Sequence, residues 1–319
     1  MLKNNMKNTV IISFILLASA ISLGTNFLAD DVKTKVTDEA IHITISGKPV
    51  LTYNIETVRP PEGTEKYYAR SGFIHPLYSP SGKVLTDGFP VGHVHQHAIF
   101  SAWTQATFKH EVVDFWNQQK ETGTAKHIGL GEVNQNSFEA NLQQVSLKNG
   151  PAINEEWDVQ VQNSTDPFIV DLELKQSCAT ADEVYLHPYH YGGFGFRGSA
   201  HWNSEDKDNF EGEMKVLTGD GITDKIDGNH ANPRWVAVYG LIKGQEAGFV
   251  VMDHPSNFRY PQPIRIHPKM PYAVFSPVVE GSFILKPGFT YGSRYRIATF
   301  DGAADKDKID AWYQDFIQE

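Results

Sequence analysis

The chain has 319 residues, 40% of them hydrophobic and 21% charged, with a formal net charge of −10. That composition is ordinary for a globular protein, and the length suits one large or two small domains. The acidic balance and the lack of any basic run argue against a nucleic-acid partner, since nothing offers to neutralise phosphates.

The N-terminus reads as a secretory leader. Lys3 and Lys7 precede an apolar run from Thr9 to Leu23, with small residues at Ala18-Ser19-Ala20. A positive segment, an apolar segment and a small-residue site are the parts of a signal peptide. The run is shorter than the roughly 20 residues a membrane span needs, and no span is expected after it. Residues 1–29 are assigned to the leader and residues 30–319 to a single domain. Export to the periplasm is expected. No cysteine follows the run to carry a lipid anchor, and the lone Cys178 cannot form an internal disulfide.

From Ala40 onward the pattern is β. Ile41, Ile43 and Ile45 alternate with polar residues, Gly47-Lys48 makes a turn, and Leu51-Thr52-Tyr53 resumes the alternation. A proline- and glycine-rich stretch from Pro60 to Pro90 reads as loops and short strands. Further strands are predicted at Phe138 to Leu147, Glu155 to Gln162, Phe168 to Gln176, Glu183 to His187, Trp235 to Leu241, Ala247 to Asp253, Ala273 to Ser276 and Thr290 to Phe300. Only the tail, about Lys306 to Ile317, shows helical spacing, with Ile309, Trp312, Tyr313 and Phe316 on one face. The pattern predicts an all-β fold, a large antiparallel double-sheet sandwich with a short C-terminal helix.

Pro90 to Trp103 is the most unusual stretch. His93, His95 and His97 stand at i, i+2 and i+4. On a strand that spacing turns all three imidazoles to one face. Neutral imidazoles each carry a donor and an acceptor, so such a face suits an active-site wall better than a core. The three are candidates for acid/base chemistry or for ligating zinc, copper or iron.

Three more clusters carry polar chemistry. His187, His190 and Tyr191 are followed by Gly192-Gly193 and Arg197. His254-Pro255-Ser256-Asn257-Phe258-Arg259 forms a polar loop after a hydrophobic strand. Asp114-Phe115-Trp116-Asn117 places a tryptophan either in the core or as a sugar platform. Arg197, Arg234, Arg259 and Arg265 together suit an anionic ligand, because a guanidinium fork pairs with carboxylate or sulfate. His75 and His127 are solitary and read as structural.

Other chemistries lack their residues. There is no Gly-x-Ser-x-Gly elbow, phosphate loop or His-Glu-x-x-His helix. The concentrated polar groups are His, Tyr and Arg. That set suits elimination from a uronic acid, with a base for the proton α to the carboxylate, an acid for the leaving oxygen, and a cation for the charge.

His75-Pro76-Leu77-Tyr78-Ser79-Pro80-Ser81-Gly82, the histidine segment ending in Trp103, Asp114-Phe115-Trp116, Tyr191 to Arg197 and Asp253 to Asn257 together resemble the bacterial PmoA-like family, a domain of unknown function. The resemblance runs over nearly the whole chain after the leader. The family's histidine segment often carries an acidic residue before its first histidine, where this chain has Gly92, and a glycine where it has Ala98. The family's label, methane oxygenase, does not suit a chain without several spanning helices. The resemblance implies a fold similar to the large sandwiches of galactose mutarotases and sugar lyases, and an exported, sugar-associated role in polysaccharide breakdown.

The expected protein is therefore an exported carbohydrate-active enzyme, a lyase or dehydratase acting on a carboxylated or sulfated oligosaccharide. His95, His97, His187, His190 and Tyr191 are the expected proton-transfer groups. Arg197, Arg234, Arg259, Trp116 and Asn257 are the expected substrate contacts. No cofactor is required; the alternative is a metal-dependent hydrolase or oxygenase with a divalent metal, zinc, copper or iron, on His93, His95 and His97, or on two of them with His190. A non-catalytic sugar-binding sandwich is the third reading.

Overall fold

The computed structural model describes residues 31–318; the leader read at residues 1–29 lies outside them. Two eight-stranded sheets pack face to face. The front sheet runs, in spatial order, Val32–Val36, Ala40–Ile45, Lys48–Asn54, Phe73–Leu77, Ile99–Ala102, Gly193–Arg197, Tyr272–Phe275 and Ile264–Ile266. The back sheet runs Lys215–Thr218, Trp235–Ile242, Gln245–Asp253, Thr290–Asp301, Phe168–Cys178, Gly150–Val161, Ser137–Ser146 and Gly123–Val133. A small third sheet, Phe283–Leu285, Val184–Leu186, Ala106–Phe108 and Glu111–Val113, pairs its strands separately from both. The strand pairings within each sheet are antiparallel.

Alternation decides which residues meet between the sheets. Ile41, Ile43 and Ile45, Phe194 and Phe196, and Ala273 and Phe275 point inward from the front sheet and meet Val159, Leu172, Val236, Phe249 and Ile297 of the back sheet. Burying each such large side chain stabilises the fold by about 1.5–3 kcal/mol. Phe194 stacks on Tyr295 with ring centroids 4.4 Å apart.

The outer face of the front sheet is also covered. Phe100, Ala102 and Val274 on it pack under Trp103, Phe115, Trp116, Phe108 and Leu285. On the far side, the Lys306–Phe316 helix lays Ile309, Tyr313 and Phe316 on Trp235, Val250 and Ala298 of the back sheet. Asp305 caps that helix by accepting from the Asp307 and Lys308 amides. The fold is thus the antiparallel double-sheet sandwich with a short C-terminal helix that the alternation predicts. No helix among the described residues is long and apolar enough to cross a membrane.

The histidine stretch is the main departure. Residues 91–98 are not a strand, and pairing begins only at Ile99. Gly92 has φ +82° and Ala98 φ +55°, so the chain enters and leaves in the left-handed region. Tight turns connect those points: the His93 amide donates to the Pro90 carbonyl at 3.2 Å and the Gln96 amide to the His93 carbonyl at 3.0 Å. The i, i+2 face that the spacing predicts is therefore not formed.

Candidate active site

The outward-facing positions of the last three front-sheet strands set the floor of a polar cluster. Arg197 and Tyr272 are register partners, and Arg265 stands opposite Val274 on the neighbouring strand. Phe196, Ala273 and Ile264, next to them in sequence, face the core. A strand's period of two therefore turns Arg197, Tyr272 and Arg265 outward together.

Arg197 is fully buried, at 0% exposure. Its amide donates to the Ala98 carbonyl at 2.8 Å, and its Nη1 donates to Gln96 Oε1 at 2.7 Å. Its Nε and Nη2 are buried and have no hydrogen-bond partner among the described residues. A buried guanidinium with open donors is costly unless a ligand supplies the acceptor. Burial pulls its pKa down to about 10, with Asp87, Tyr272 and Glu205 opposing that shift. It therefore remains a cation at neutral pH.

Three histidines ring this cation. His93 lies 5.8 Å from His95 and 5.9 Å from His267, ring centre to ring centre, and His267 lies 5.3 Å from Tyr272. Burial lowers the His95 pKa to about 4, helped by His93 and Arg197 and opposed by Asp114. The His267 pKa is about 4, lowered by burial and then by Arg265, His93 and Arg197. His93 is lowered by burial and Arg197 and raised by Glu205, and its buried Nδ1 has no hydrogen-bond partner among the described residues. All three are neutral imidazoles at pH 7, which is the form that accepts a proton.

Hydroxyls and carboxyls complete the surroundings. Burial raises the Tyr272 pKa, while Arg265 and Arg197 pull it down, so its hydroxyl keeps its proton. Tyr68 stacks on His95 at 6.5 Å. Asp87 is raised by burial and lowered chiefly by Arg197. The Glu205 carboxylate occupies the space that a Cβ at residue 92 would need, so its charge sits beside His93.

Tyr191 and His190 form one rim. The Tyr191 hydroxyl donates to Asn117 Oδ1 at 2.9 Å, and Asn117 Nδ2 donates to Asp114 Oδ2 at 2.8 Å. Burial pushes the Tyr191 pKa up, and Asn117 moderates that shift. His190 is exposed, 4.6 Å from the Tyr191 ring, and its carbonyl accepts from His230 Nε2. Burial, then Arg265 and His230, lower its pKa.

Of the residues predicted from sequence, His93, His95, His190, Tyr191 and Arg197 meet here. The others do not. His97 is 0% exposed, with Nδ1 at 3.0 Å from the Gly88 carbonyl and Nε2 at 2.6 Å from Gln118 Oε1. Both ring nitrogens are engaged in holding loops together. His187 turns to the small sheet, where the Thr107 hydroxyl lies 2.7 Å from its Nε2. Trp116 is 0% exposed and packs on Phe100 at 4.4 Å, so it is core and not a platform. Gly195 makes room for it: a Cβ there would lie 2.6 Å from the indole.

Arg259 is spent on the carbonyls of Pro277, Gly281 and Ser282 and stacks over Phe258. Asn257 is spent on Asp253, the Arg294 carbonyl and the Arg294 amide. Arg234 lies over the Tyr313 ring near Asp310, against the C-terminal helix. None of these three belongs to an anion clamp around Arg197. His93, His95 and His97 are not a metal-ligand set either, because His97 faces Gly88 and Gln118. No group of three or more His, Cys, Asp or Glu side chains among the described residues is arranged to hold a metal ion.

Reasoning from the sequence missed Tyr272, His267, Asp87, Glu205 and Tyr68. One signal was present: Ile264-Arg265-Ile266-His267 alternates, which puts Arg265 and His267 on the face opposite the two isoleucines.

Fold and cluster together define a β-sandwich protein with a buried arginine, two of its nitrogens unpaired among the described residues, near neutral histidines. The chain belongs to the Family of unknown function (DUF6807), whose model matches residues 40–314. The match carries the unknown function that the resemblance implies, but no PmoA-like name. None of the curated proteins matches. Among solved structures the chain is similar to the heparan sulfate lyase HepC from Pedobacter heparinus, at 11% identity and a TM-score of 0.40 over 86% of this chain and 37% of that one. It is similar to the GH36 alpha-galactosidase AgaA from Geobacillus stearothermophilus, at 9% identity and a TM-score of 0.34 over 85% of this chain and 41% of that one. A GalM/aldose epimerase homologue from C. elegans matches at 10% identity and a TM-score of 0.36, over 87% of this chain and 100% of that one. The chain thus spans well under half the length of the lyase and the galactosidase.

Proposed function

We propose that this protein is an exported carbohydrate-active enzyme that eliminates across a C–O bond in a carboxylated or sulfated oligosaccharide, as a lyase or dehydratase. The observation that carries the reading is Arg197, a buried cation with two unpaired donors among the described residues, whose charge acts on neutral His93, His95 and His267. Export rests on the N-terminal leader alone, and N-terminal sequencing of protein recovered from the periplasm tests it.

In this reading a substrate carboxylate sits on Nε and Nη2 of Arg197 as a bidentate pair. His95 takes the proton α to the carboxylate. The electron pair left on carbon forms the double bond as the bond to the β oxygen breaks. Tyr272, held protonated beside Arg197, returns a proton to the leaving oxygen. Each positioned acid or base contributes roughly 10²–10⁴-fold, and Arg197 stabilises the enolate charge. An imidazole with a pKa of about 4 is a weak base. Burial is the main cause of that low value; the incoming carboxylate offsets the smaller contribution of the Arg197 charge, which raises the pKa in part.

Nuclear magnetic resonance of uronate-containing oligosaccharides in deuterated water tests the proposal. Deuterium entering α to the carboxylate, or loss of that proton with a new double bond, supports it. Saturable binding with an unaltered ligand would assign the same residues to a sugar-binding module instead.

A further inference from the structure

We propose that the loop closed by Val58 and Arg70 is an accessory subsite for a second anionic residue of the oligosaccharide. This inference rests on the reading of Arg197 as the seat of the first.

The loop is anchored at its base. Val58 and Arg70 exchange both backbone hydrogen bonds, at 2.9 and 3.2 Å. Behind this closure the buried Arg70 donates from Nη2 to the Ser101 carbonyl at 3.0 Å, and Gln118 Nε2 donates to the Ala69 carbonyl at 3.1 Å. The loop is therefore rooted in the front sheet and in the same Gln118 that holds His97. Between its ends it encloses a hollow of about 680 Å³, walled by Pro60 and Pro61 and flanked by Arg59 and Lys66. A hollow of that size lies within the range of small-ligand sites.

Two features give the hollow its chemistry. Arg59 and Lys66 are exposed, and neither side chain has a hydrogen-bond or ion-pair partner among the described residues. One acidic side chain, Glu62, lines the hollow against these two cations. Proline rings supply an apolar wall for the C–H face of a pyranose, and free cations supply partners for a carboxylate or sulfate.

Tyr68 joins this arm to the site. It ends the Lys66–Tyr68 turn, packs on Tyr67 at 4.6 Å and stacks on His95 at 6.5 Å. The contact with His95 places this tyrosine pair, and with it the arm that carries Arg59 and Lys66, next to the histidine cluster.

The test is calorimetric binding of size-defined oligogalacturonates and heparan sulfate oligosaccharides of di-, tetra- and hexasaccharide length to the full chain. Wild type is compared with an Arg59→Ala/Lys66→Ala variant and with Arg197→Gln. The subsite predicts at least tenfold tighter binding of tetrasaccharide than disaccharide. The double variant should lose that gain while keeping disaccharide affinity and thermal stability. Equal affinity for all lengths, or a length effect that survives in the double variant, overturns the subsite and leaves the Arg197 reading standing. Disaccharide binding unchanged by Arg197→Gln, or no binding of any member, overturns both.

Discussion

Gln96 holds one nitrogen of Arg197 at 2.7 Å and leaves two others open. The amide that fixes the guanidinium belongs to the same turn-rich loop that carries His93 and His95. The loop therefore sets the cation and the bases in one geometry.

Removing that hold should loosen the site without emptying it. Gln96→Ala strands a buried donor, at a cost of about 1–3 kcal/mol in stability, and should weaken anion binding severalfold. Arg197→Lys should bind more weakly still, because an ammonium cannot reproduce the fork. Denaturant melts and calorimetry read the two effects separately; anion affinity equal to wild type in both variants contradicts the assignment.

His95→Ala and His97→Ala should behave oppositely. His97 lies between the Gly88 carbonyl and Gln118 Oε1, and as a neutral imidazole it donates to one of these two acceptors, so its removal leaves that buried acceptor unpaired at about 1–3 kcal/mol, together with a cavity. His95 makes no such link, and its loss should abolish turnover with a melting temperature close to wild type. A stable, inactive His97→Ala protein would return that residue to the catalytic set.

Stability should fall with acid. His75, His95 and His267 have folded pKa values of about 4 and His97 about 3, against an ordinary 6.5. The unfolded chain then binds more protons as pH drops below 6.5, so their contribution is full above that value and is lost as pH falls through the folded values. Asp253, raised to about 7 by burial, acts in the opposite sense: its contribution is lost as pH rises from the usual carboxylate range toward 7. Melting temperature against pH should drop steeply from 6.5 to 4, and Asp253→Asn should deepen that drop. A flat profile across this window contradicts the burial of neutral histidines.

Anion binding should take up protons. Burial first, and the Arg197 charge in addition, lower His93, His95 and His267; a carboxylate on Arg197 offsets the second contribution, so their pKa values rise on binding. Binding near pH 5 should be tighter than at pH 7. Calorimetry in buffers of different ionisation enthalpy should show net uptake in wild type and its loss in Arg197→Gln. Proton release, or equal uptake in both proteins, would show that the ligand sits elsewhere.

The sandwich was legible because its strands obey a period of two: Ile41, Ile43 and Ile45 face the core as their spacing predicts. The C-terminal helix was legible through Ile309, Tyr313 and Phe316. The site was only half legible. Alternating histidines imitate a strand, but positive φ at Gly92 and Ala98 bends the segment into turns, and alternation alone does not report φ. Arg197 stood out beside its histidine cluster, whereas Arg234 and Arg259 looked equivalent. What separates them is tertiary: three carbonyls saturate Arg259, and Arg234 leans on the helix. Tyr272 gave no local signal, since its role comes from pairing with a strand 75 positions earlier, at Arg197.

The most direct test of the central claim is a time course of uronate-containing oligosaccharides with wild type, Arg197→Gln and His95→Gln, followed by ultraviolet absorbance and mass spectrometry. The account predicts a conjugated double bond with chain cleavage, or loss of one water without it, in wild type and in neither variant. A wild-type product that has gained water, or equal turnover in all three proteins, would contradict elimination at Arg197.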